Sequence, residues 1–203
     1  MRHVDLTTAL VIVDVQDVFD EPRWGRRNNP NAEANIARLL KEWRRRELPI
    51  FHVRHLPPVP SSSFNAAHAG SRIKRLVQPL DGEPTIIKSV NSAFIGTDLE
   101  ERLRQNGITG LVMTGLTTNH CVETTTRMAG NLGFDSYFVS DATATFDRIG
   151  PDRIRHAAED IQSMTLSNLS NEFATIVDTD EVLRQSRLDS TLPYPDLAAM
   201  SHG

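Results

Sequence analysis

The chain has 203 residues, 39% apolar and 24% charged, with a formal net charge of −4. That length suits one domain with a full core, and the acidic balance argues against nucleic-acid binding. No uninterrupted apolar run approaches the ~20 residues of a membrane helix. Met1-Arg2-His3-Val4-Asp5 lacks the apolar core of a secretory signal, and a lone cysteine cannot form an internal disulfide, so a cytoplasmic location is expected.

Short apolar, β-branched runs alternate with helical stretches along the chain. The first strand candidate is Ala9–Val15, followed by a polar, irregular stretch from Glu21 to Pro30. Ile36, Leu39, Leu40 and Trp43 then recur at the spacing of one buried helix face. Arg44-Arg45-Arg46 reads as the solvated end of that helix, where cations are favoured by its dipole. Ile50–Arg54 is the second strand, and Leu56–Gly70, broken by Pro57, Pro58 and Pro60, suits a loop over a site. Thr85–Ser89 comes next. Thr97-Asp98-Leu99-Glu100 reads as a capping box that opens a helix ending near Asn106-Gly107. Gly110–Thr114 is a strand, His120–Leu132 a helix stopped by Gly133, and Ser136–Val139 a strand. Ile154, Ala157, Ala158 and Ile161 mark a helix running towards Leu169, and Thr175–Val177 is the last strand. Continuous apolar strands separated by helices predict an α/β fold: a single-domain, three-layer α/β/α sandwich on a mainly parallel, six-stranded sheet. The domain is expected to span residues 1–189, with 190–203 as a C-terminal tail.

Three chemically capable groups each follow a strand: Asp14, Lys88 and the only cysteine, Cys121. The ends of strands are where an open α/β sheet presents its reactive groups. A thiol at a helix start is favoured as thiolate by the unpaired N–H groups and the dipole. A carboxylate, an ammonium and a thiol meeting over one edge would make a nucleophilic cysteine enzyme. Taken singly, Cys121 reads as a small core residue, Asp14 as a helix cap and Lys88 as a surface lysine; the shared placement argues otherwise.

The pieces Leu10-Val11-Ile12-Val13-Asp14-Val15-Gln16-Asp17, Ile87-Lys88-Ser89 and Gly115-Leu116-Thr117-Thr118-Asn119-His120-Cys121-Val122 occur in this order. With Asp141-Ala142, they resemble the isochorismatase-like cysteine hydrolases, the superfamily of nicotinamidase, N-carbamoylsarcosine amidohydrolase and ureidoacrylate amidohydrolase. The wording around Cys121 and Gly130–Asp135 is most similar to a branch that includes streptothricin hydrolase. The resemblance implies a thioester on Cys121, Asp14 as proton carrier and Lys88 as electrostatic support. It also implies an oxyanion hole from the N–H groups of Thr117 and Cys121, with a cis peptide between Leu116 and Thr117. The expected substrate is a small amide, lactam or carbamoyl compound, cleaved at its C–N bond without an organic cofactor by a homodimer or homotetramer.

Substrate contacts are expected from Gln16, Phe19, Trp24, His55 and Asn119, with Phe94 and Phe146 as further candidate walls. Nicotinamidases carry an Asp-x-His…His metal constellation after the second strand. Here that stretch reads His52-Val53-Arg54-His55-Leu56 with no acid, so no catalytic metal is expected. Two alternatives remain at this level: an isochorismatase-type hydrolase of vinyl ethers, and a non-catalytic protein that uses Cys121 as a redox sensor.

Overall fold

The computed structural model describes residues 4–189; the tail expected at 190–203 lies outside them. A six-stranded, all-parallel sheet is built from β1 (Thr8–Val13), β2 (Ile50–His55), β3 (Thr85–Lys88), β4 (Gly110–Leu116), β5 (Asp135–Ala144) and β8 (Thr175–Val177), in the order β3-β2-β1-β4-β5-β8. Between β5 and β8 the chain forms a small antiparallel hairpin, β6 (Arg148–Ile149) with β7 (Arg155–His156). Both faces of the sheet are covered, which is why β1 and β4 read as unbroken apolar runs and are buried throughout.

Side chains alternate across each strand and feed two cores. Leu10 and Ile12 of β1 meet Ile36, Leu39, Leu40 and Trp43 of α1 (Ala32–Arg45) and Val182 and Leu183 of α5 (Thr179–Asp189). Ala9, Val11 and Val13 face the other layer. There they join Leu99 and Leu103 of α2 (Leu99–Gln105), Ala129 of α3 (Glu123–Asn131) and Leu169 of α4 (Ala158–Leu169). Phe94, an expected pocket wall, belongs to this core and stacks on Phe134 at 6.0 Å. Among the described residues, no helix is long and apolar enough to cross a membrane.

Two local expectations need correction. The start of α2 is not a reciprocal capping box: the Leu99 N–H reaches Thr97 Oγ1 at 3.4 Å, while Glu100 pairs with Arg104 one turn on. Ile154 is not helical but 59% exposed beside the hairpin, because Asp152 Oδ1 accepts the Ile154 N–H and turns the chain. The helix begins at Ala158, whose N–H donates to Asp147 Oδ1 at 2.8 Å, a cap from eleven residues upstream that periodicity does not reveal.

Gly115 fixes how β4 reaches the sheet edge. Its φ is +124°, at the point where pairing with β5 shifts register, and a Cβ there would lie 2.0 Å from the Val13 carbonyl oxygen. No flexible side chain can yield to relieve that clash. Gly133, by contrast, has φ +84° with open space around it. Gly133→Ala is therefore expected to cost about 1 kcal/mol, from backbone strain alone. Gly115→Ala should cost several times more or prevent folding, a ranking that thermal melts of the two variants would test.

Candidate active site

Four neighbouring strands end at the same edge, and each delivers one polar group to it. Lys88 is the last residue of β3, His55 the last of β2, Asp14 follows β1, and Cys121 follows β4. Neighbouring strands lie about 4.8 Å apart, so the Lys88 and Asp14 backbones are separated by roughly 10 Å, and only a long side chain bridges them. Lys88 does so: its Nζ lies 2.7 Å from Asp14 Oδ2, with the two side chains 0% and 1% exposed.

The backbone is shaped to present Asp14. Its φ is +51°, an unusual value for a residue with a side chain, just where the chain leaves the sheet. Gln16 holds this exit in place. Its Oε1 accepts the His55 N–H at 2.9 Å, and its Nε2 donates to the carbonyls of His55 and Ser71 at 3.2 and 2.8 Å. Every part of the amide is thereby engaged with backbone, and the side chain is fully buried. Gln16 is thus a clamp between β1 and β2 rather than the expected substrate contact.

Cys121 lies in a single π-helical stretch, Thr118–Val122, that continues into α3. Such wide turns interrupt helices at functional sites more often than elsewhere. Thr118 Oγ1 donates to Gln162 Oε1 at 2.5 Å, anchoring the stretch to α4. Asn119 Oδ1 accepts from Thr145 Oγ1 at 2.5 Å, so its oxygen is already engaged. The peptide between Leu116 and Thr117 is cis, as the resemblance implies. His120, which the sequence reading passed over, sets Nδ1 3.3 Å from Thr117 Oγ1. Burial, then the charge of Arg148, keeps its pKa below the usual histidine range.

The Asp14 carboxyl and the Cys121 thiol each feel the other and the Lys88 ammonium, but burial is the largest influence on both. Burial pushes the Asp14 carboxyl above its ordinary value, and Lys88 and the thiol only partly oppose that. Among the described residues no backbone N–H caps either oxygen. Burial first, then the Asp14 charge, pushes the Cys121 thiol up to about 12, against the pull of Lys88. Burial thus favours the neutral thiol, against the pull towards thiolate expected at a helix start. The dipole contributes a fraction of a charge over one turn, whereas removal from water acts on the whole thiolate charge.

Phe19, Trp24, Phe64 and Phe146 form an aromatic cluster with Leu116, the residue before Thr117. Trp24 packs 5.0 Å from Phe19 and 6.3 Å from Phe64, and its Nε1 donates to the Val18 carbonyl. The two irregular stretches are thus tied together, since Trp24 comes from one and Phe64 from the other. Arg23 also donates to Ser63 Oγ. His55 meets the cluster edge-on, 5.2 Å from Phe64, and its Nδ1 lies 3.2 Å from Lys88 Nζ. His52 turns away to Glu83, Nε2 to Oε2 2.9 Å. Among the described residues no three metal-ligating side chains converge, so this site does not fit the metal constellation of nicotinamidases.

A buried ion pair makes a thermodynamic prediction. Lys88→Met strands a carboxylate and is expected to destabilise the fold by about 3–5 kcal/mol. Asp14 then lies still further above its unfolded value, so the loss should grow as pH rises from the unfolded carboxyl pKa through the folded one. Replacing both partners, Asp14→Leu with Lys88→Met, should recover most of the loss. Urea melts of the two single variants and the double variant at several pH values would check both the coupling and its sign.

Residues 8–181 match the family described as the isochorismatase domain. The chain is 49% identical over 175 residues to the uncharacterized isochorismatase family protein YrdC of Bacillus subtilis, covering 86% of this chain and 94% of that protein. It is 30% identical over 189 residues to Nicotinamidase 3 of Arabidopsis thaliana, covering 87% of each. A crystal structure of an isochorismatase-family protein from Chromobacterium violaceum superposes with a TM-score of 0.90 at 39% identity, over 93% of this chain and 97% of that one. Topology, the three strand-end groups and these likenesses agree: the chain belongs to the isochorismatase family of hydrolases.

Proposed function

We propose that this protein is a cysteine-dependent hydrolase that cleaves a C–N bond in a small amide, lactam or carbamoyl compound through a thioester. One observation carries the reading: the buried Asp14–Lys88 pair at 2.7 Å, with the Cys121 thiol electrostatically coupled to both members, at one edge of the sheet. A structural ion pair has no use for a thiol beside it. A nucleophile, its base and a cation do.

The steps follow from the resting protonation. Asp14 takes the thiol proton as sulfur attacks the carbonyl carbon, and the N–H groups of Thr117 and Cys121 receive the developing oxyanion. The tetrahedral adduct collapses, the C–N bond breaks, and Asp14 returns the proton to the leaving nitrogen. Water then gives a proton to Asp14 as its oxygen adds to the thioester. The C–S bond breaks, sulfur recovers its proton, and the acid departs. Lys88 keeps its charge throughout and offsets the negative charge that moves between carboxylate, sulfur and oxygen. The reading uses no organic cofactor and includes a homodimeric or homotetrameric assembly. Phe19 and Trp24 would wall the acyl side, and Asn119, whose amide N–H groups have no partner among the described residues, would contact a polar part of the substrate.

Cys121→Ala is expected to lower turnover by at least about 10³-fold, with stoichiometric iodoacetamide inactivating the native protein. The measurement is ammonia or amine release from nicotinamide, carbamoyl amino acids, ureido acids and lactams. Full release by the Cys121→Ala protein, or by an alkylated one, would contradict the thioester route, whereas release from none of these compounds by the native protein would favour vinyl-ether chemistry. The pH profile gives a second check. The base must be unprotonated and its pKa is raised, so kcat/KM should fall on acidification with a midpoint above the ordinary aspartate value of 3.8. A midpoint at or below that value contradicts the assignment of Asp14.

A further inference from the structure

We infer that His55 is a positioning residue, whose Nδ1 accepts a hydrogen bond from Lys88 and aims the ammonium into the space between Asp14 and Cys121. The inference rests on the hydrolase reading above and adds a fourth member to its machinery.

The sheet order supplies the first argument. Lys88 ends β3 and Asp14 follows β1, and the strand between β3 and β1 is β2, which ends at His55. His55 and Lys88 are register partners. The lysine side chain must therefore pass the end of β2 to reach the carboxylate, and the imidazole stands at that crossing with Nδ1 3.2 Å from Nζ.

Hydrogen-bond accounting supplies the second. A lysine ammonium has three donors and no acceptor. Here the three go to Asp14 Oδ2 at 2.7 Å, the Val90 carbonyl at 3.1 Å and His55 Nδ1 at 3.2 Å. Lys88 is buried, so a proton left without an acceptor carries the desolvation cost of an unmade bond. Without the imidazole nitrogen, the ammonium turns or withdraws from the cleft to satisfy that proton elsewhere. Either way, sulfur and carboxylate lose part of their cationic support.

The third argument is that His55 is held in the state this role requires. Only a neutral ring with its proton on Nε2 can accept at Nδ1. Burial, then the charge of Lys88, lowers the His55 pKa to about 4, so the ring is neutral at neutral pH. Gln16 fixes the His55 backbone from both its N–H and its carbonyl, and Phe64 sets the ring plane from the side. The ionisable groups of the cleft are Lys88 of β3, Asp14 after β1 and Cys121 after β4.

The test reads sulfur reactivity without needing a substrate. Rates of iodoacetamide alkylation at Cys121 would be measured against pH in the native protein and in Lys88→Met, His55→Leu, His55→Gln and His55→Asn, each confirmed as folded by its melt. Asparagine places an acceptor oxygen close to the Nδ1 position, whereas glutamine places its amide near Nε2. Lys88→Met, His55→Leu and His55→Gln should slow alkylation roughly tenfold across the accessible pH range, the effect of about one unit in the thiol pKa, and His55→Asn should restore the native profile. A shifted Lys88→Met profile beside a native His55→Leu profile overturns this inference alone. Equal shifts in all three His55 variants also overturn it, because they show a space-filling role. A native profile in Lys88→Met overturns the triad reading and this inference together.

Discussion

A carboxylate and an ammonium, withdrawn from water and set 2.7 Å apart, are the constraint around which this end of the molecule is organised. Neither charge is tolerable there alone. The pair is therefore a structural commitment as much as a chemical one, and the neighbouring elements serve it. The positive φ of Asp14 lifts its side chain out of the sheet, Gln16 locks the exit of β1 to the end of β2, and β3 stands far enough away that only a lysine spans the gap. Gly115 lets β4 pass close to Val13, carrying the next segment, with Cys121, over the same edge.

The thiol enters this arrangement as a guest of the ion pair. Intuition assigns a cysteine at a helix start to the thiolate form, but the balance of magnitudes here runs the other way. Burial and a neighbouring carboxylate raise the thiol, and a single ammonium already engaged with Asp14, His55 and the Val90 carbonyl does not reverse that. A protonated sulfur beside an uncapped carboxylate divides the labour differently from a preformed thiolate. The nucleophile is generated during attack, and the group that generates it is well placed to protonate the leaving nitrogen afterwards.

Much of this was legible in the residues, for reasons that can be named. The six strands and their parallel arrangement followed from runs such as Leu10–Val13 and Leu111–Met113, because burial on both faces leaves no room for alternation. Asp14, Lys88 and Cys121 stood out because each breaks such a run with a charge or a thiol. What escaped depended on partners distant in sequence. The role of Gln16 is set by His55 and Ser71, thirty-nine and fifty-five residues away, and the start of α4 by Asp147. The supports of the cysteine turn, Gln162 and Thr145, are ordinary polar residues until the chain brings them together. His55 was picked out as a pocket residue, and its contact with Lys88 becomes visible only once β2 is known to lie between β1 and β3.

The central claim is that the resting site holds a neutral thiol beside the Asp14–Lys88 pair. Ultraviolet thiolate absorbance, taken as the difference between the native protein and Cys121→Ser across a pH titration, reads that state directly. The account predicts no thiolate band at neutral pH and its appearance only under strongly alkaline conditions. A full band at neutral pH, disappearing only on acidification, would contradict it and return the sulfur to the ionised form that its place at the start of a helix suggests.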